Sequence, residues 1–268
     1  MRPGNVVLVL LCAAAIDGSY LKAQPVAVRQ TEGAVHGFLT LSSLDGDLVA
    51  NGDLEQVARG SRVTSRLIFH FKDGSLQDET TVFSQSGHFR LLSDHLVQKG
   101  AAFKRQMDLS VNGSTGVATA RYSDDHGKEK VETVRLTLPP DVANGMVPVL
   151  LKNLATGQSL TASMVVAAPK PQLVKLAINP IGEDPVSIGE RRKATRYVVK
   201  IEIGGIKGAI APLVGKQPPD TYVWILRESA PAFLKSEGPA CEGCDVLRTQ
   251  LASPVWPKAS DSSADRKK

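Results

Sequence analysis

The sequence predicts an all-β protein, a long curved antiparallel meander rolled into a half-barrel or clam, with one short helical segment. Apolar and polar residues alternate with a period of two along most of the chain, which gives each strand one dry and one wet face. Gly, Asn and Asp punctuate those runs as hairpin turns do. One stretch alone, Leu138 to Leu154, is patterned for a helix.

The order begins with Arg2 ahead of Val6–Ile16, an apolar run too short to span a bilayer as a helix and well sized for a signal-peptide core. Leu21-Lys-Ala23 places a small residue before a cut, so residues 1–23 read as a signal peptide and the chain as exported, periplasmic or extracellular. Leu11 is a poor residue before Cys12 for a lipid anchor. Residues 24–32 read as a flexible N-terminus, 33–257 as a single β domain, and the polar 258–268 as a disordered tail.

Within the domain, Val63, Ser65, Leu67, Phe69 and Phe71 share one face of Arg62 to Phe71. Met107, Leu109 and Val111 alternate with polar neighbours, as do Val134, Leu136 and Leu138, and then Leu160, Ala162, Met164 and Val166. Lys72-Asp-Gly-Ser75, Val111-Asn-Gly-Ser114 and Ser123-Asp-Asp-His-Gly-Lys128 are the turns. In the helical stretch Pro140 suits a first turn, and Pro148 is expected to break the segment into two short pieces. So many one-sided strands must curl until the dry face closes on itself or on the helix; an apolar hollow is a natural product.

Further on, Tyr197, Val199, Ile201 and Ile203 share a strand face, followed by the long apolar connection Gly204–Asp220 and a second strand carrying Tyr222 and Trp224. A solvated loop would be polar. Gly204, Gly205, Gly208, Pro212 and Gly215 break the connection too often for it to cross a bilayer. It reads either as a plug on the protein's own core or as an apolar lip. On the second reading Val199, Ile201, Ile203, Ile206, Ile210, Leu213, Val214, Tyr222 and Trp224 would bind a lipid or other apolar ligand. The structural alternative for the two aromatics is ordinary core.

After processing, the cysteines are Cys241 and Cys244, a local disulfide in an exported protein. A zinc site would require a second ligand pair, and a redox motif would sit at a helix start beside a βαβ unit; the chain offers neither pattern. The net charge of +5 falls by one with residues 1–23 and is too mild and dispersed for a nucleic-acid binder. No cofactor is expected.

Phe69-His-Phe-Lys-Asp-Gly-Ser-Leu76, Glu79-Thr-Thr-Val-Phe-Ser-Gln85, Phe89-Arg-Leu-Leu-Ser-Asp-His95, Leu138-Pro-Pro-Asp-Val-Ala-Asn-Gly145 and Gly215-Lys-Gln-Pro-Pro-Asp-Thr-Tyr-Val-Trp-Ile225 resemble a group of uncharacterised secreted bacterial β-sheet proteins. The resemblance covers Gly33 to Pro257. It implies an envelope protein with a long curved sheet, more distantly similar in architecture to periplasmic clam-shaped lipoprotein carriers, and it brings no catalytic residue. Its members are Gly-rich where this chain has Cys241 and Cys244, so it assigns that pair no role.

Catalytic patterns are weak. Asp94 and His95 are adjacent on a strand and point to opposite faces, while Asp124 to His126 belongs to a turn; both groups are expected to be solvated. Asp45 to Asp53 fails as a calcium loop because Val49 and Gln56 stand where oxygen ligands are needed, and it reads as a turn. The expectation is a non-enzymatic envelope protein that holds an apolar ligand, or else a structural module that docks a protein partner through its lip.

Overall fold

The computed structural model describes residues 25–252, apart from 125, 189, 203–217 and 242. The first eight strands are β1 (Val35–Ser42), β2 (Leu48–Arg59), β3 (Arg62–Phe71), β4 (Leu76–Ser86), β5 (His88–Lys99), β6 (Met107–Asn112), β7 (Val117–Ser123) and β8 (Glu129–Arg135). A helix, α1 (Val147–Lys152), is followed by β9 (Leu160–Val166), β10 (Gln172–Ile188), β11 (Glu190–Glu202), β12 (Thr221–Leu226), β13 (Ala232–Pro239) and β14 (Val246–Leu251). All fourteen strands belong to one sheet in the order β8-β7-β6-β5-β4-β3-β2-β1-β14-β13-β12-β11-β10-β9. The strands pair antiparallel, and neighbours in the sheet are consecutive in the chain everywhere except where β1 meets β14. The expected fold class is therefore correct: an open, curved, nearly pure antiparallel sheet with one small helix.

That single non-consecutive pairing sets the shape. The meander turns back on itself at β1–β14, and the two edge strands, β8 and β9, are sequence neighbours separated by the helical segment. The segment runs inside. Met146, Val149, Leu150 and Leu151 are buried in one cluster with Phe83, Phe89, Leu91 and Leu109 from the first half of the sheet and Leu176, Ile178, Tyr197 and Ile225 from the second. Burial of a Leu or Phe is worth roughly 1.5–3 kcal/mol each, so this cluster explains why the sheet rolls up around the segment.

The helix differs from expectation. Pro148 opens it rather than dividing it, because a first-turn proline lacks an N–H that would have no helical partner in any case. The preceding residues do not join the helix, for two reasons. Gly145 has φ of +60°, which ends any helical run, and the Asn144 side chain imitates a strand: its Nδ2 donates to the Val165 carbonyl at 2.9 Å and its Oδ1 accepts from the Val165 N–H at 2.9 Å. At the other end Arg227 donates to the carbonyls of Leu151 and Leu154, both at 3.0 Å, and to the Tyr197 hydroxyl, so a cation satisfies the last turn.

Candidate ligand cavity

The structure separates the residues expected to line one site. Register on β11 and β12 pairs Val199 with Thr221 and Val198 with Tyr222, so Val199 and Ile201 face one way and Tyr222 and Trp224 the other. Val199 and Ile201 pack on the main core. Trp224 is buried in a different cluster with Ala194, Leu226 and Leu234, and Tyr222 packs against it. The Trp224 Nε1–H donates to Asp184 Oδ2 at 2.7 Å, and Lys235 Nζ lies 4.0 Å from the ring centroid. Ile203, Ile206, Ile210, Leu213 and Val214 lie outside the described residues, as do the segments expected to be a signal peptide (1–23) and a disordered tail (258–268).

A hollow exists elsewhere in the sheet, where β1 to β4 curve round to meet β13 and β14. The inner face of β3 is the alternating set Ser65, Leu67 and Phe69, and its neighbours are Leu54 and Gln56 on β2 and Gln77, Glu79 and Thr81 on β4. Together with Leu39, Leu41, Phe233 and Leu247 they enclose about 330 Å³. Lys152 and Val149 of α1 and Thr221 of β12 close one side. The helix thus fills one end of the roll and leaves the other hollow.

Contacts across the roll hold the hollow open. Gln98 on β5 donates its Nε2 hydrogens to Gln77 Oε1 and to the Ala240 carbonyl, both at 3.0 Å, although β4, β3, β2, β1 and β14 lie between β5 and β13 in the sheet. Cys241 and Cys244 stand at disulfide distance, Cα to Cα 5.2 Å, directly after Ala240. Cys241 packs against the cluster of Phe69, Phe71 and Phe103. The local pairing expected from sequence therefore fixes the loop that receives Gln98.

The polar groups of the wall are unequal. Lys152 Nζ is matched by Glu32, with Oε1 at 2.6 Å and Oε2 at 2.8 Å, and Gln56 donates to the same carboxylate at 3.1 Å. Glu79 differs: among the described residues no group donates a hydrogen bond to its carboxyl. Its neighbour Asp94, 2% exposed, accepts from Thr81 Oγ1–H at 2.7 Å and from Asn144 Nδ2 at 3.4 Å. Desolvation, reinforced by the Asp94 charge, pushes Glu79 up to about 8, which favours its neutral form at pH 7. Burial also raises Asp94 to about 6, a rise held back by its bonds from Thr81 and Asn144. The surface that Glu79 leaves uncovered faces the hollow.

Chemically this is a largely apolar chamber that also presents Ser65, Gln77, Ser236 and Thr249, with one acid that lacks a hydrogen-bond donor. The sequence places Leu67 and Phe69 on a dry face, gives no sign of Glu79 and leads to the expectation that Asp94 is solvated. Asp94 is buried, contrary to the expectation of a solvated side chain, because a bulge between Val82 and Phe83 in the β4–β5 pairing keeps it opposite Thr81 on the inner face. The strand argument itself holds: His95 points outward and pairs with Asp108 at 3.0 Å. Asp124 caps its turn by accepting from the N–H groups of His126 and Lys128; of the stretch Asp45 to Asp53 read as a turn, Asp45 turns the chain but Leu48 to Asp53 belong to β2. The signal that could have found Glu79 is an acid at period two with Gln77 and Thr81, opposite the apolar Leu67.

No family model matches this chain, and no curated protein does. Among solved structures the chain is similar to a beta-barrel-like protein of a domain of unknown function (DUF1849) from Brucella abortus, at 11% identity and a TM-score of 0.42, over 84% of this chain and 97% of that one.

Proposed function

We propose that this chain is an exported, non-enzymatic binding protein that holds a small apolar ligand inside its curved sheet. The observation that carries the reading is the hollow of about 330 Å³ walled by Leu39, Leu41, Leu54, Leu67, Phe69 and Phe233. That volume lies at the lower end of the range of ligand pockets, and its make-up, apolar walls with a few polar groups, is what such pockets have. At about 30 Å³ per water-sized group it suits a ligand of roughly ten heavy atoms, well short of a long-chain diacyl lipid. A binding role is favoured over hydrolysis because His95 and His126, the histidines that adjoin carboxylates in sequence, are exposed and away from the hollow. Export rests on the Arg2 to Ala23 pattern. No described helix is long and apolar enough to cross a membrane.

The test is native mass spectrometry and solvent extraction of protein purified from the periplasm, together with titration of a fluorescent medium-chain probe. Binding that disappears when Thr249→Phe fills the hollow, with an unchanged melting temperature, supports the reading. Protein that is always empty and indifferent to the probe would falsify it. Docking of a protein partner through the 204–220 connection is a separate reading, checked by crosslinking from a photoreactive residue at position 210.

A further inference from the structure

We infer that the hollow selects a small apolar molecule with a cationic head, an amine or amidinium, whose N–H groups bind the Glu79 carboxyl. The inference rests on the ligand-binding reading above and deepens it. It starts from the matching of charges along the wall. Only two ionisable side chains line the hollow among the described residues, Lys152 and Glu79. The ammonium of Lys152 is taken by Glu32, which also receives Gln56. Glu79 is half-buried, without a hydrogen-bond donor among the described residues, beside Leu67 of the wall and facing the hollow. An unmatched acid on a largely apolar wall is poorly solvated, and a ligand that supplies the missing donors recovers part of that cost.

The sign of the surroundings selects among donors. Asp94 lies behind Glu79 on the adjacent strand, with its carboxylate held by Thr81 and Asn144. A carboxylate head would enter beside two acids and find the Lys152 charge already neutralised. An alcohol would give one neutral hydrogen bond. A cation gains from both acids, and its bond to Glu79 is charge-assisted and made in a low-dielectric chamber. The ligand arrives as its ammonium, Glu79 starts as the neutral acid, and on binding Glu79 gives its proton to the buffer. One proton leaves per ligand bound.

The experiment is calorimetric titration of the full folded chain with hexylamine, hexanol and hexanoate at pH 7, each in two buffers of different ionisation enthalpy. The amine is expected to bind roughly tenfold or more tightly than the alcohol, the alcohol more tightly than the carboxylate, and the amine alone to release close to one proton. Glu79→Gln should bring the amine down to the level of the alcohol and abolish the proton release while hexanol binding stays. Hexanol or hexanoate binding as well as hexylamine, or amine binding without proton release, overturns the cationic-head inference and leaves the ligand-binding reading standing. Binding of none of the three overturns both. The proton count on the wild-type chain decides the matter even where the variant fails to fold.

Discussion

Glu79→Gln offers a direct measure of how the interior treats its acid. In the folded chain burial and the Asp94 charge raise Glu79 from 4.5 to about 8, whereas in the unfolded chain it titrates at its ordinary value. The folded state therefore binds the extra proton across the intervening range. The associated stability is fully present below about pH 4.5 and is lost as pH rises through about 8. The slope is about 1.4 kcal/mol per pH unit while folded Glu79 stays protonated and unfolded Glu79 is ionised. Between pH 5.5 and 7.5 the wild type should lose on the order of 2–3 kcal/mol relative to Glu79→Gln by this route. Glutamine fills the same space and does not titrate, so it removes this contribution. Asp94, raised to about 6, adds its own decline below that pH in both proteins. Urea unfolding of both proteins at half-unit steps from pH 5 to 8 reads the difference. Curves that stay parallel over the whole range would refute the buried, neutral state of Glu79.

Three other changes test the frame around the hollow. Arg227→Ala strips the carbonyls of Leu151 and Leu154 of their donor and should cost about 1–3 kcal/mol in chemical denaturation, with Arg227→Lys intermediate. Gly145→Ala drives a Cβ into Thr81 Oγ1 at a backbone φ of +60°, and a fall in melting temperature of several degrees is expected; an unchanged melt would contradict the close approach of the segment to β4. Replacing Cys241 and Cys244 by Ser removes a short closed loop worth about 2 kcal/mol on chain entropy. If the pair fixes Ala240 for Gln98, hydrogen exchange should quicken in β13 and β14 before it does in β6 and β7.

Much of the fold was legible because its elements carry local signals. The alternation from Val63 to Phe71 names β3 and its inner face correctly, since a strand's period of two depends only on covalent geometry. Turn residues such as Asn112-Gly113 and Asp73-Gly74 mark hairpins for the same reason, and the meander follows from them. The helix was legible only in outline. Whether Pro148 breaks or begins it depends on Gly145 and on the bond between Asn144 and Val165, which is a contact between residues 21 apart.

The candidate site was less legible. Tyr222 and Trp224 follow the connection that looked most unusual, yet the register with Val198 and Arg196 turns them away from the core that holds Val199. Glu79 gives no signal of its own, because an acid in a strand is ordinarily solvated, and its burial arises only when β1 to β4 meet β13 and β14. The sequence by itself determined strand periodicity, turn positions and the expectation that a long one-sided meander must roll up. Tertiary structure decided the β1–β14 pairing, the end of the roll that α1 fills and the face on which each acid lies. Those depend on contacts between residues distant in the chain, such as Gln98 with Ala240 and Lys152 with Glu32, where local preference is silent and the competition between burial and solvation chooses.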